Sequence, residues 1–235
     1  MPDRHYVVAT TRPWNIAQYH ATISALPGVW HLVTTPDELT PEYLAAIQPR
    51  FIFFPHWSQR VPAEVTGRYE CVSFHETDVP YGRGGSPIQN LIQRGHRDTV
   101  VTALRMVDDL DAGPVYAKRP LSLLGLAEEI YVRSASIVSE MIAEIASTEP
   151  LPVPQTGEQE VFRRRTPGQS AVSAEISTLE ELFDQIRMLD ADEYPHAFLE
   201  HGGFRFEFTR PALRTGRIEA TVQISLSPSP ERGDR

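Results

Sequence analysis

Cys71-Val72-Ser73-Phe74-His75 is a short apolar run that ends on a histidine. It is too short for a helix and too apolar to face water, so it predicts a buried strand with His75 at its carboxyl end. Three similar runs precede it: Tyr6-Val7-Val8-Ala9-Thr10, Val29 to Val33, and Phe51-Ile52-Phe53-Phe54. Helix signals separate them. Pro13-Trp14-Asn15 turns the chain into a helix with Asn15 as the cap, Thr40-Pro41-Glu42 opens one that reaches Ile47, and Pro62 begins a short third. Continuous apolar strands alternating with helices predict a doubly wound, mainly parallel α/β sheet covered on both faces.

Past Pro80 the turn-rich segment Tyr81-Gly82-Arg83-Gly84-Gly85-Ser86-Pro87 predicts a loop, and Ile88 to Gln93 a helix. Thr99 to Val107 and Val115 to Leu123 predict a later, more edge-like strand pair, followed by a long amphipathic helix from Ala127 to Ala146. Glu149-Pro150-Leu151-Pro152-Val153-Pro154 changes the composition and predicts a stiff linker. Beyond it, Thr178 to Leu189 predicts a helix. Phe204 to Phe208 and Ile218 to Ile224 predict strands, with a further strand before His201. The expected organisation is a catalytic domain over 1–149, a linker over 150–157, a small C-terminal α+β domain over 158–225 and a frayed tail over 226–235.

The chain has 235 residues, 41% of them hydrophobic, and a net charge of −9. That balance argues against a nucleic-acid partner, which usually meets a basic face. The one tight basic run, Arg163-Arg164-Arg165, fits a solvated strand edge as well as anion binding. Cys71 is the only cysteine and sits among apolar residues, so it predicts a small buried hydrophobe rather than a disulfide or thiolate ligand. With no signal-peptide core and no segment long enough to cross a bilayer, a soluble cytoplasmic protein without a membrane partner is expected.

Open α/β sheets do their chemistry at strand carboxyl ends. His75 stands at such an end, and the run from Val100 to Val107 delivers Asp111 into the tight turn Asp109-Leu110-Asp111-Ala112-Gly113. The two predict an acid/base pair with a fixed tautomer. Gly82, Gly84 and Gly85 permit close approach of backbone to a ligand. Their spacing matches neither a dinucleotide fingerprint nor a phosphate-binding P-loop. His56, His75, Asp78 and Asp111 lack any close-spaced ligand pair, so no metal is expected.

Phe74-His75-Glu76-Thr77-Asp78-Val79-Pro80, then Gly82-Arg83-Gly84-Gly85-Ser86-Pro87-Ile88-Gln89, Thr102 and Leu110-Asp111-Ala112-Gly113 resemble the 10-formyltetrahydrofolate-dependent formyltransferase family, which includes methionyl-tRNA formyltransferase and the amino-sugar N-formyltransferases. The likeness is good over about residues 50 to 125. The tail motifs Phe162-Arg163-Arg164-Arg165-Thr166-Pro167 and Tyr194-Pro195-His196-Ala197-Phe198 resemble the small C-terminal domain of the amino-sugar members. The resemblance implies a formyltransferase-like Rossmann-type domain. It also implies that a protonated His and a motif Asn stabilise the oxyanion formed when an amine attacks the formyl carbon, with the Asp tuning the His. His75 and Asp111 take those places here, but Ser73 stands where the motif has Asn. His56, leaving the neighbouring strand at the same sheet edge, is the best stand-in donor.

What the resemblance implies is formyl transfer from 10-formyltetrahydrofolate to a primary amine of a small molecule, an amino sugar on a nucleotide being favoured. The donor is expected along Phe54, Pro55, Trp57 and Arg60 and near Asp109, although core packing fits Trp57 equally. The acceptor is expected beside Trp14, Asn15, Gly82, Arg83, Gly84, Gly85 and Gln89. The amino-sugar relatives also imply a homodimer through the C-terminal strands. Two rivals remain at this point: hydrolysis of the same donor, and folate or sugar-nucleotide binding without turnover.

Overall fold

A computed structural model describes residues 4–192 and 194–227. In chain order the elements are β1 (His5–Ala9), α1 (Pro13–Ala21), β2 (Val29–Val33), α2 (Pro41–Ile47), β3 (Phe51–Phe54), α3 (Ala63–Thr66), β4 (Cys71–His75), β5 (Arg83–Gly84), α4 (Pro87–Gln93), β6 (Asp98–Arg105), β7 (Val115–Ser122), α5 (Ala127–Thr148), β8 (Val161–Phe162), α6 (Leu179–Arg187), β9 (Ala197–His201), β10 (Phe204–Arg214) and β11 (Arg217–Leu226).

Six strands form the main sheet in the order β2-β1-β3-β4-β6-β7. The first four are parallel, and β6 and β7 add antiparallel neighbours. Of that pair only β7 is an edge, because β6 lies between β4 and β7. Strand alternation sorts side chains into two cores. Tyr6, Val8, Phe51, Phe53, Val72 and Phe74 join one cluster with Tyr131, Val138 and Ile142 of α5. Val7, Ala9, Ile52, Phe54 and Cys71 join another with Leu44 and Val65 of α2 and α3. Burying both faces explains why these strands are apolar throughout. Ser73 and His75 follow Cys71 at two-residue steps and so share the α2/α3 face. The order reverses between β1 and β3, which opens a crevice outside their carboxyl ends.

One local expectation changes. The cap position of α1 belongs to Arg12, since Pro13 already occupies the first turn. Asn15 lies inside that turn, buried, and donates from Nδ2 to the Pro55 carbonyl at 3.4 Å. The expected stiff linker, 150–157, and the residues just after it make backbone pairs with the strands of the first part of the chain. Val153 exchanges backbone hydrogen bonds with Val115 (2.7 and 2.8 Å), and β8 pairs in parallel with β5.

In the C-terminal part, Thr178 caps α6 and Glu181 closes the capping box. The antiparallel sheet has the order β11-β10-β9. Its last strand reaches Leu226, so the tail expected from 226 starts no earlier than 227; residues 228–235 lie outside the described residues. Among the described residues no helix is long and apolar enough to cross a membrane.

Candidate active site

The carboxyl ends of β3 and β4 open into a cavity of about 820 Å³. His75 closes β4 there, 6% exposed. Its Nδ1 lies 3.7 Å from Asp111 Oδ2, and its Nε2 is 2.8 Å from the Gly82 carbonyl. Both ring nitrogens therefore face oxygens of the protein.

Asp111 reaches this place through a left-handed backbone (φ 53°) at the end of its turn. Three further bonds hold it. The Gly84 N–H donates to Oδ2 at 3.0 Å, and Gln155 Nε2 donates to the carbonyls of Asp111 (2.8 Å) and Gly113 (2.7 Å). Gln155 Oε1 in turn accepts from Arg83 at 2.7 and 3.0 Å. Thr77 donates to the Gly82 carbonyl at 3.3 Å, and Thr102 to the Thr77 carbonyl at 2.7 Å.

Gly84 and Gly85 line the cavity and also let the chain itself approach closely. A Cβ on Gly84 would collide with the Phe162 carbonyl, and one on Gly85 with the Arg164 backbone. Gly84 also has φ 103°, which L side chains rarely adopt.

A second group lines the same cavity. His56, just past β3, meets Trp14 and Tyr131 edge-on and lies 3.4 Å from the Tyr194 hydroxyl. Tyr131 stacks between Trp14 and Tyr194, and Gln89 Nε2 donates to its hydroxyl at 2.9 Å. Burial pushes the His56 ring down to about 3, with the Arg12 and Arg164 charges adding to the effect. His56 is thus a neutral donor or acceptor. Glu76 accepts from Ser134 Oγ at 3.3 Å and lies 3.9 Å from His56 Nδ1. Burial raises its carboxyl above the ordinary range, against the lowering effect of His75.

The structure gathers most of the expected residues. His75, Asp111, Ser73, His56, Phe54, Trp57, Arg60, Gly84, Gly85 and Gln89 line the cavity. Asp109 does not, because its exposed side chain lies outside the turn that carries Asp111 inward. Gly82 and Arg83 lie behind the lining, held by His75 and Gln155. Trp14, Asn15 and Pro55 are buried and border only a void of about 10 Å³ next to His56. Glu76, Tyr131, Gln155 and Tyr194 were not singled out. Glu76 alone carried a local signal, an acid directly after the strand-end His. Among the described residues no cluster of three or more His, Cys, Asp or Glu is arranged to hold a metal.

Fold and site together define a doubly wound α/β domain with a His–carboxylate pair at the carboxyl end of β4. Comparison with known proteins narrows that class. The family described as "Methionyl-tRNA formyltransferase, C-terminal domain" matches residues 167–225. Methionyl-tRNA formyltransferase of Lactobacillus delbrueckii subsp. bulgaricus is 32% identical over 182 residues, 73% of this chain and 56% of that protein. The chain spans about half the length of the curated relatives it matches. The solved structure of methionyl-tRNA formyltransferase from Clostridium thermocellum is 41% identical with a TM-score of 0.91, covering 95% of this chain and all of that one. HypX from Aquifex aeolicus in complex with tetrahydrofolic acid shares the fold at 21% identity, with a TM-score of 0.70, over 88% of this chain and 37% of that one. The chain belongs to the formyltransferase family.

Proposed function

We propose that this protein transfers a formyl group from 10-formyltetrahydrofolate to the primary amine of a small molecule, an amino sugar carried on a nucleotide. The observation that carries the reading is the His75–Asp111 pair, 3.7 Å apart at the edge of the 820 Å³ cavity. The lining suits the donor: Phe54, Trp57, Val61, Leu104 and Met106 give an apolar wall for a flat ring system, with Arg60 at its rim. The donor supplies an electrophilic formyl carbon and a nitrogen leaving group.

This chain's residues do the rest. Asp111 orients the His75 ring, and His75, exchanging the Gly82 carbonyl for the developing oxyanion as the partner of Nε2, donates to it and moves the proton. Ser73 offers a hydroxyl from the same sheet face as His75. His56 stands in for the absent amide as a neutral N–H donor. Loss of one such donor costs on the order of 10²–10³ in turnover, so a replacement matters.

Arg164 and Arg165 line the cavity and supply positive charge for an anionic carrier group on the acceptor. Residues 151–235 hold 14 Asp and Glu against 10 Lys and Arg, a poor grip for a tRNA backbone. A methionyl-tRNA acceptor is the second reading, favoured by the name of the 41% identical Clostridium thermocellum structure. A homodimer through the C-terminal sheet is part of the first reading. It is supported by the free edge of β11 and by the exposure of Ile224 (62%) and Leu226 (77%).

The test offers glucosamine, a thymidine-diphosphate-linked 4-amino sugar and methionyl-tRNA with 10-formyltetrahydrofolate, following the mass of each acceptor. Gain of one formyl group on a sugar amine is expected. Formylation of methionyl-tRNA alone would establish the second reading. Formate release without any amine would make the protein a hydrolase. Donor binding with no formyl loss, unchanged in His75→Ala, would make it a non-catalytic binder.

A further inference from the structure

Glu76 is an ionisable group the proposed chemistry leaves unused. It follows His75 in sequence and, by strand alternation, points to the opposite face, toward α5. Ser134 of α5 donates to its Oε1 at 3.3 Å, and His56 approaches the same oxygen at 3.9 Å. The residue is 7% exposed, yet it borders both the main cavity and the small void behind it. His56 is held neutral by burial and so is no counter-ion. A buried carboxylate facing a cavity with a neutral partner suits a cation brought by the ligand.

We propose that the Glu76 carboxylate docks the ammonium group of the acceptor and takes its first proton. This rests on the formyl-transfer reading. An amine at neutral pH is mostly protonated and cannot attack. Its N–H bond breaks, the electron pair stays on nitrogen and the proton passes to Glu76. The freed amine forms its bond to the formyl carbon, whose oxygen becomes the oxyanion, and the bond from that carbon to the donor nitrogen breaks as the oxyanion collapses. The second amine proton passes by way of His75 to the departing nitrogen. The third stays on nitrogen in the formamide, and Glu76 returns its proton to solvent. Ammonium and formyl donor thus give formamide, tetrahydrofolate and one released proton.

The titratable groups facing Glu76 come from several elements. They are His75 on its own strand, Asp111 from the turn after β6, His56 after β3, Tyr131 from α5 and Tyr194 before β9. Burial raises the Glu76 carboxyl most, followed by the smaller effects of its neighbours, and this makes it a better proton acceptor than an exposed glutamate.

Two measurements on the full chain test the proposal. Glutamate is labelled with carbon-13 at the carboxyl and the Glu76 signal is assigned by its loss in Glu76→Gln, which keeps an oxygen for Ser134. Glucosamine should move that signal, and N-acetylglucosamine, which lacks the ammonium, should not. An equal response to both, or none to either, overturns the proposal whether or not any transfer is seen. Single-turnover transfer to glucosamine is then compared for wild type and Glu76→Gln across pH. The variant should be slower by on the order of 10²–10⁴ below the amine pKa and should converge on wild type as the pH passes above it. A deficit independent of pH would mark a structural role and overturn the proposal. A wild type that formylates no amine counts against the proposed function, while the carbon-13 titration still decides Glu76.

Discussion

Gln155 donates from one amide nitrogen to the backbone carbonyls of Asp111 and Gly113, 2.8 and 2.7 Å away, and accepts from Arg83 through its oxygen. A residue from the Pro-rich segment after α5 thus ties the Asp111 turn to the Gly84 loop. Those two elements also meet directly, through the Gly84 N–H and Asp111 Oδ2.

Gln155→Leu removes both links while keeping side-chain volume. It leaves two carbonyls and the Arg83 guanidinium unpaired in a half-buried site, a cost of about 1–3 kcal/mol for each group that water does not reach. Gln155 touches no reacting atom, so it is a positioning residue. The expected result is a fall in kcat of about tenfold or more with the acceptor KM unchanged, because small misplacement of the catalytic pair slows chemistry. Gln155→Glu should recover less than half of the loss, since it restores the acceptor for Arg83 but not the donor. A rise in KM at constant kcat would contradict this.

His56 should shape the acid limb of stability. Its folded pKa of about 3 lies below the ordinary 6.5, so between those values the unfolded chain binds the extra proton. Stability from this group is therefore complete above about 6.5 and falls as the pH drops toward 3, by up to about 1.4 kcal/mol per pH unit. Glu76 works with the opposite sign: its raised pKa means the folded state holds a proton longer, which favours folding on the acid side. Replacing His56 by Gln should flatten the decline between neutral pH and pH 5, measured by urea unfolding at both. An unchanged slope would show that His56 protonates without cost.

Much of this was legible in the sequence because strand alternation and apolar runs are local. Val7 and Val8, or Phe53 and Phe54, announce two buried faces by composition alone. His75 was legible because it ends a strand, and Asp111 because it lies in the tight turn after one. The pairing of β5 with β8 was not, since two-residue strands carry no periodicity and are set by a contact across 78 positions. For the same reason the close approach of Phe162 and Arg164 to Gly84 and Gly85 was not legible. Tyr131 gave no sign either, as an aromatic on a helix face serves a core equally well, and Tyr194 sits in the irregular segment before β9.

Ser73 is the departure from the family motif, and a paired substitution tests what fills its place. If neutral His56 supplies the missing donor, His56→Ala should cut turnover by on the order of 10²–10³. Adding Ser73→Asn to that variant should then restore most of the activity, because the amide returns on the sheet face that carries His75. The measurement is kcat for all four combinations, read as a double-mutant cycle. Additive losses would show that the two positions do not share a function.

Arg164 should govern the acceptor rather than the chemistry. It lines the cavity, and its charge reaches both His56 and Tyr194. Its side chain is largely exposed, so neutralising it should leave folding almost intact. Arg164→Gln should raise KM about tenfold or more for a thymidine-diphosphate-linked amino sugar, a loss of roughly 1.4 kcal/mol in binding a phosphate group. For free glucosamine, which has no phosphate, KM should hardly change. The preference of the wild type for the nucleotide-linked sugar should also weaken as salt rises, and that of the variant should weaken less, since only the charge of Arg165 is left to screen. Equal effects on both sugars would place the carrier group elsewhere and return the basic run to a solvated strand edge.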